Sequence, residues 1–211
     1  MKRVACATDV LTEALHWHVL SLLLSRPTPA IKAEVWQLVN ELSSSQLAEA
    51  ARAWCAEATE GAYLHLLGPG GLVPAREGAY RPFADPGWIL ADIGRHHDAF
   101  GFQPAAEEPP DHIAVLVDFV SYLHLKEAYA RETNELEAAQ VTREARERFV
   151  TEHLSPVAAR LAERLEACGA TEWSIAARLL AAEVPPPPAA VAPPRHEEVL
   201  QCGGCGADVV Q

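Results

Sequence analysis

Asp111 and His112 stand side by side in EEPPDHIAVLVDFVSYLHL, residues 107–125, and an acid beside an imidazole can serve several chemistries. As a catalytic pair they are badly placed. Neighbours on a helix point about 100° apart, so Asp111 would not orient His112 as a triad acid orients its base. The chain also has no Gly-x-Ser-x-Gly stretch to supply a nucleophile. A hydrolase built on the pair would lack a nucleophile, a metal set and an oxyanion device. Two other readings fit better. Pro110 suits the first turn of a new helix, which puts Asp111 at the positive end of its dipole as a cap. Alternatively, two polar groups at a helix start beside an irregular loop form the polar lip of a binding groove, where a carboxylate accepts an arginine fork.

Cys202 and Cys205, in CGGCG, make half of a tetrahedral zinc site. A second pair is missing, and thiol-disulfide exchange would need a helix N-terminus to lower the thiolate pKa. A metal ion shared with another chain, or a redox role, therefore competes with a plain tail. The histidines show no His-x-x-x-His spacing on one helical face; His96-His97 and His16/His18 are expected to be solvated or packed. GPGG at 68–71 lacks the lysine and the following helix of a phosphate-binding loop.

The elements that position these residues read as helices. Ala, Leu, Glu and Arg dominate, and strand-like alternation is scarce. Leu11, Leu15, His18 and Leu22 follow one helical face, and Arg26-Pro27-Thr28-Pro29 stops that helix. Two shorter helices are expected over 30–42 and 45–59, then a long Gly/Pro-rich loop over 68–87 whose Tyr80 and Phe83, with Trp88 after it, need burial or a partner. A helix over 86–99 precedes the Asp-His segment, in which Ile113, Leu116, Val117, Val120, Leu123 and His124 make a stripe. Val150, Leu154, Val157, Leu161, Leu165 and Cys168 form the clearest periodicity, with Ser155 and Pro156 as cap and first turn of a new helix. Gly169 ends it and Thr171 caps a last helix to about 183. Beyond that, VPPPPAAVAPPRHEEVLQCGGCGADVVQ has almost no core-forming pattern. The expected organisation is one all-α domain over 1–183 and an extended Pro-rich tail over 184–211.

Composition narrows the partners. The 211 residues are 49% hydrophobic, enough for a substantial core, and 17 Lys+Arg against 29 Asp+Glu give a formal net charge of −12. Such a surface repels phosphate backbones and attracts basic partners, a peptide with paired arginines among them. Thr12, Glu13, His16 and His18 interrupt the N-terminal apolar stretch, and no run reaches the ~20 apolar residues of a membrane helix, so a cytoplasmic protein without stable membrane insertion is expected. Cys6, Cys55 and Cys168 are expected to be buried thiols.

Several blocks, in order, resemble the redox-enzyme maturation chaperones of the TorD/DmsD/NarJ type, over most of residues 10–183. Glu108-Pro109-Pro110-Asp111-His112-Ile113 is similar to the family's E-x-P-D-H-I hallmark. Leu67-Gly68-Pro69-Gly70 with Pro74, Glu77 and Tyr80 resembles its glycine-rich loop and P-Y-E-S-x-Y stretch, Ala99–Phe102 its x-x-G-F segment, and Phe149 to Pro156 its F-x-x-x-H-L-x-P-W block. Arg76 and Gly78 depart from the usual Tyr and Ser, Leu116 from a frequent Glu, and Val157 from the Trp after the proline. The resemblance implies a TorD-like helical bundle that is not an enzyme and requires no cofactor of its own. Such a chaperone binds the catalytic subunit of a molybdenum oxidoreductase, often by its twin-arginine signal peptide, and holds it until the molybdenum cofactor is inserted. It would place Glu108, Pro110, Asp111 and His112 at the client groove, with Glu77, Tyr80, Trp88, Gly101 and Phe102 nearby. A metal-binding or thiol-redox accessory protein acting through Cys202 and Cys205 is the alternative.

Overall fold

The computed structural model describes residues 6–105 and 108–187. Among these there are nine α-helices: α1 (Ala7–Leu23), α2 (Pro29–Leu38), α3 (Ser45–Glu57), α4 (Glu60–Leu66), α5 (Pro86–Phe100), α6 (Ile113–Glu132), α7 (Leu136–Phe149), α8 (Ala158–Ala167) and α9 (Thr171–Glu183). Short 3-10 turns occupy Val39–Glu41 and Glu77–Tyr80, and a π-helical segment spans Val150–Leu154. The described residues contain no strand, only an isolated antiparallel bridge between Arg76 and His112. The all-α expectation stands. Cys202, Cys205 and most of the Pro-rich segment lie outside the described residues.

The core is organised around α6. Ile113 to Val117, Phe119 and Val120 are all buried, so this helix is apolar nearly all round, as a central helix must be. It packs most extensively on α1 and next on α7, while α8 pairs with α9 and α9 rests on α3. Phe119 anchors an aromatic cluster, with ring centroids 4.7 Å from Phe149 and 5.1 Å from Phe102.

Several boundaries are set by caps that the residues advertise. The Thr28 side chain accepts from Ile31 N, Ser44 from Leu47 N, and Asp85 from Gly87 N with Pro86 in the first turn. Others differ from expectation. α6 begins at Ile113, and its N-cap is His112; Pro110 and Asp111 precede the helix. The helix after the π segment starts at Ala158, and Ser155 instead donates to Val150 O within the turn. Thr171 is the first residue of α9 and caps nothing through its side chain. α4 was not expected, because its seven residues give too little periodicity to read. Cys6 and Cys168 are exposed and are not buried thiols, whereas Cys55 is half-buried and packs against the core; Cys6 accepts from Asp9 N as the cap of α1.

The face of α1 differs most. Val10, Ala14, Trp17 and the whole stretch from Val19 to Leu23 are buried, whereas Leu11 is 50% exposed. Leu22 does enter the core, but Leu11, Leu15 and His18 form the edge that α1 leaves open.

Candidate functional site: a cleft at the Asp-His corner and an apolar groove between α1 and α6

The Asp-His corner is assembled by backbone pairing between the loop before Tyr80 and the start of α6. Glu77 N donates to Asp111 O (2.9 Å) and Ile113 N to Ala75 O (2.8 Å). The loop reaches this position through a tight glycine turn: a Cβ on Gly68 would lie 2.6 Å from Leu64 O, and one on Gly71 2.6 Å from Leu66 O. Only glycine allows so close an approach of chain to chain.

The corner's side chains then satisfy one another. Ala114 N donates to His112 Nδ1 at 3.2 Å, which requires that nitrogen to be unprotonated. His112 is thus a neutral imidazole with its proton on Nε2, 3.2 Å from Tyr63 Oη, and the Tyr63 hydroxyl donates onward to Glu108 Oε1 at 3.2 Å. Burial pushes His112 below its ordinary pKa and Tyr63 above its own, against the carboxylates that favour imidazolium. Asp111 Oδ1 accepts from Arg76 Nε at 2.8 Å. Gly68, Pro74, Arg76, Glu108, Asp111 and His112 line a cleft of about 580 Å³.

This corrects the open-lip reading of the pair. Asp111 and His112 are each only 2% exposed, and the carboxylate is already engaged by the chain's own Arg76. The corner closes the loop onto α6 and shapes the cleft; it does not offer a free acid.

The other residues expected near the groove separate into different places. Glu77 is fully buried and held by Arg81 (2.6 Å) and His153 (2.9 Å). Tyr80 is buried, its hydroxyl donating to Pro74 O at 2.7 Å. Pro110 and Trp88 are exposed, with the Arg95 guanidinium 5.9 Å from the centre of the Trp88 ring. Gly101 takes φ +67° to end α5, a left-handed cap that favours glycine. Phe102 follows it and packs on Phe119, away from the Asp-His corner.

Phe102 instead belongs to a second concavity that sequence reasoning missed. Leu11 and Leu15 from α1, Phe102, and Tyr122 and Leu125 from α6 line an apolar groove of about 650 Å³, larger than the cleft. Leu125 is 49% exposed although it sits on the central helix. Asp118 and Glu41 bring carboxylates to its wall. His18 ties the edge together, its Nδ1 3.3 Å from Asp118 Oδ1 and its Nε2 3.0 Å from Glu34 Oε1. Its pKa is raised by the Asp118 hydrogen bond, opposed by burial and assisted by Glu34. The available signal was the Leu11–Leu15–His18 stripe, which periodicity alone assigns to a packed face.

No helix among the described residues is long and apolar enough to cross a membrane. No curated protein and no solved structure matches the chain. The family model described as nitrate reductase delta subunit matches residues 28–163, which span α2 through most of α8. The chain therefore belongs to the nitrate reductase delta subunit family, the NarJ/TorD-type chaperones of redox-enzyme maturation.

Proposed function

We propose that this maturation chaperone takes up the catalytic subunit of a molybdenum oxidoreductase through an apolar, arginine-bearing leader laid in the α1–α6 groove, and holds it until the molybdenum cofactor is inserted. The observation that carries the reading is the groove itself: exposed leucines from two packed helices, with carboxylates on the wall, on a chain of net charge −12. An apolar segment buries its side chains against Leu11, Leu15 and Leu125, and its arginines meet Asp118 and Glu41. The reading gives the chaperone no bond-breaking step. The Asp111–His112 corner acts at one remove, by fixing the loop and the cleft on the neighbouring surface.

The test is Leu11→Glu combined with Leu125→Glu in the full chain, expressed with its molybdenum-containing client. Both side chains are about half exposed, so the helical signal and melting temperature should hold. Client retention should fall at least about tenfold, equivalent to about 1.4 kcal/mol. Unchanged retention would remove the groove from the account. Asp111→Ala with His112→Ala serves as the contrast: it exposes Arg76 and Tyr63 to lost partners, so it should lower the melting temperature as well as binding.

A further inference from the structure

Asp92 and His96 stand one turn apart on one face of α5, and Glu152 and His153 lie next to each other in the π-helical segment after α7. One potential ligand atom from each of the four lies within 4.8 Å of the others. The sequence separates the two pairs by nearly sixty residues, so spacing alone hides the cluster. His153 is fully buried. Its Nδ1 is 2.9 Å from Glu77 Oε2, while its Nε2 makes no hydrogen bond among the described residues and points into the cluster, 3.4 Å from Asp92 Oδ2.

The chemistry around the four is ordered in the same sense. Glu77, itself buried and paired with Arg81, fixes the ring through Nδ1; a carboxylate behind a histidine is the usual outer partner of a metal ligand, setting its tautomer and basicity. Arg95 pairs with Oδ1 of Asp92, which leaves Oδ2 for the cluster. Arg148 pairs with Oε1 of Glu152 at 3.2 Å, which leaves Oε2 facing His96 Nε2 at 3.9 Å. Each carboxylate thus turns one oxygen outward to an arginine and one inward. π-helical segments break the regular ladder, frequently at functional sites.

We propose that Asp92, His96, Glu152 and His153 form a binding site for a divalent first-row transition cation, with Glu77 as the positioning residue behind His153. Two imidazoles and two carboxylates suit zinc and its neighbours and disfavour the all-oxygen coordination of calcium or magnesium. The ion pins α5 to the turn between α7 and α8, behind the same 3-10 turn that carries Glu77 at the Asp-His corner. Nothing in the site assigns it a catalytic step.

The experiment uses the full chain carrying Cys202→Ser and Cys205→Ser, so that those thiols do not compete, titrated with Co²⁺ and then with Zn²⁺. Binding of one equivalent is expected, with cobalt d–d bands and no thiolate charge-transfer band. His96→Gln, at the partly exposed member, should lower affinity at least about tenfold while the far-UV signal holds, and Glu77→Gln should lower it about 10–100-fold without touching the ion. Absence of stoichiometric binding overturns the proposal, as does an affinity unmoved by His96→Gln. A thiolate band would place the ion on Cys6, Cys55 or Cys168 and overturn it equally. The client-retention assay reads a different surface, so either proposal can fail alone.

Discussion

Glu127→Ala is expected to be the most damaging single exchange outside the aromatic core. The Glu127 carboxylate is buried between α6 and α7, where Oε1 accepts from Arg131 Nε (2.9 Å) and Nη2 (2.6 Å) and Oε2 accepts from Arg146. Both guanidiniums are largely buried themselves. Removing the acid leaves two positive charges in a poorly hydrated seam, and breaking a buried pair in this way costs about 3–5 kcal/mol. For a domain of this size that is a fall in melting temperature of about 6–20 °C, readable by calorimetry or by urea unfolding. Glu127→Gln should lose less, because the amide oxygen still accepts one bond. A loss below about 1 kcal/mol for the alanine variant would mean that the arginines find water, and that α6 and α7 are held by apolar contact alone.

Mild acid is expected to unfold the protein, because His97 and His124, like His112, are buried in neutral form. His97 packs between Phe102 and Phe119, each ring centroid 4.8 Å away, and its pKa is lowered to about 4 by burial and then by His96. His124 stacks on Trp17 at 6.2 Å, and burial, followed by Arg146, lowers it to about 3. Between the ordinary value of 6.5 and these lowered ones, the unfolded chain binds protons that the folded chain refuses. Stability is therefore full above pH 6.5 and is lost as the pH falls towards 4. Two such groups give a slope of up to about 2.7 kcal/mol per pH unit, large beside the 5–15 kcal/mol typical of a domain. Urea midpoints at pH 7, 5.5 and 4.5 should fall steeply, and His97→Leu with His124→Leu should flatten the dependence. An unchanged slope in that double variant would locate the acid sensitivity elsewhere.

Much of the architecture was readable from single residues. The prolines at 27 and 29, Ser44 before α3, Asp85-Pro86 before α5 and the Ile113–Leu123 stripe each mark an element that the fold contains. Errors arose where one helix is buried on more than one side. From Val19 to Leu23 every residue of α1 is buried, so its periodicity cannot say which face is open, and the Leu11–Leu15–His18 stripe carries no sign that it lines a groove. The Asp-His pair shows the second kind of limit. Its adjacency and its place at a helix start were legible, but its burial depends on Arg76 and Tyr63, 35 and 49 residues away. The four-residue cluster shows the third. Asp92-x-x-x-His96 has the spacing of one helical face, but it pairs a histidine with an acid and not with a second histidine, and its other half comes from a distant turn.

Site-specific photo-cross-linking tests the central claim most directly. A photoreactive residue is placed at position 15, inside the α1–α6 groove, and in a second chain at position 178, on the exposed side of α9, with the molybdenum-containing client present in both. The account predicts that position 15 captures the client, with the linked peptide mapping to its arginine-bearing leader, and that position 178 captures little. Capture at 178 with none at 15 would contradict it.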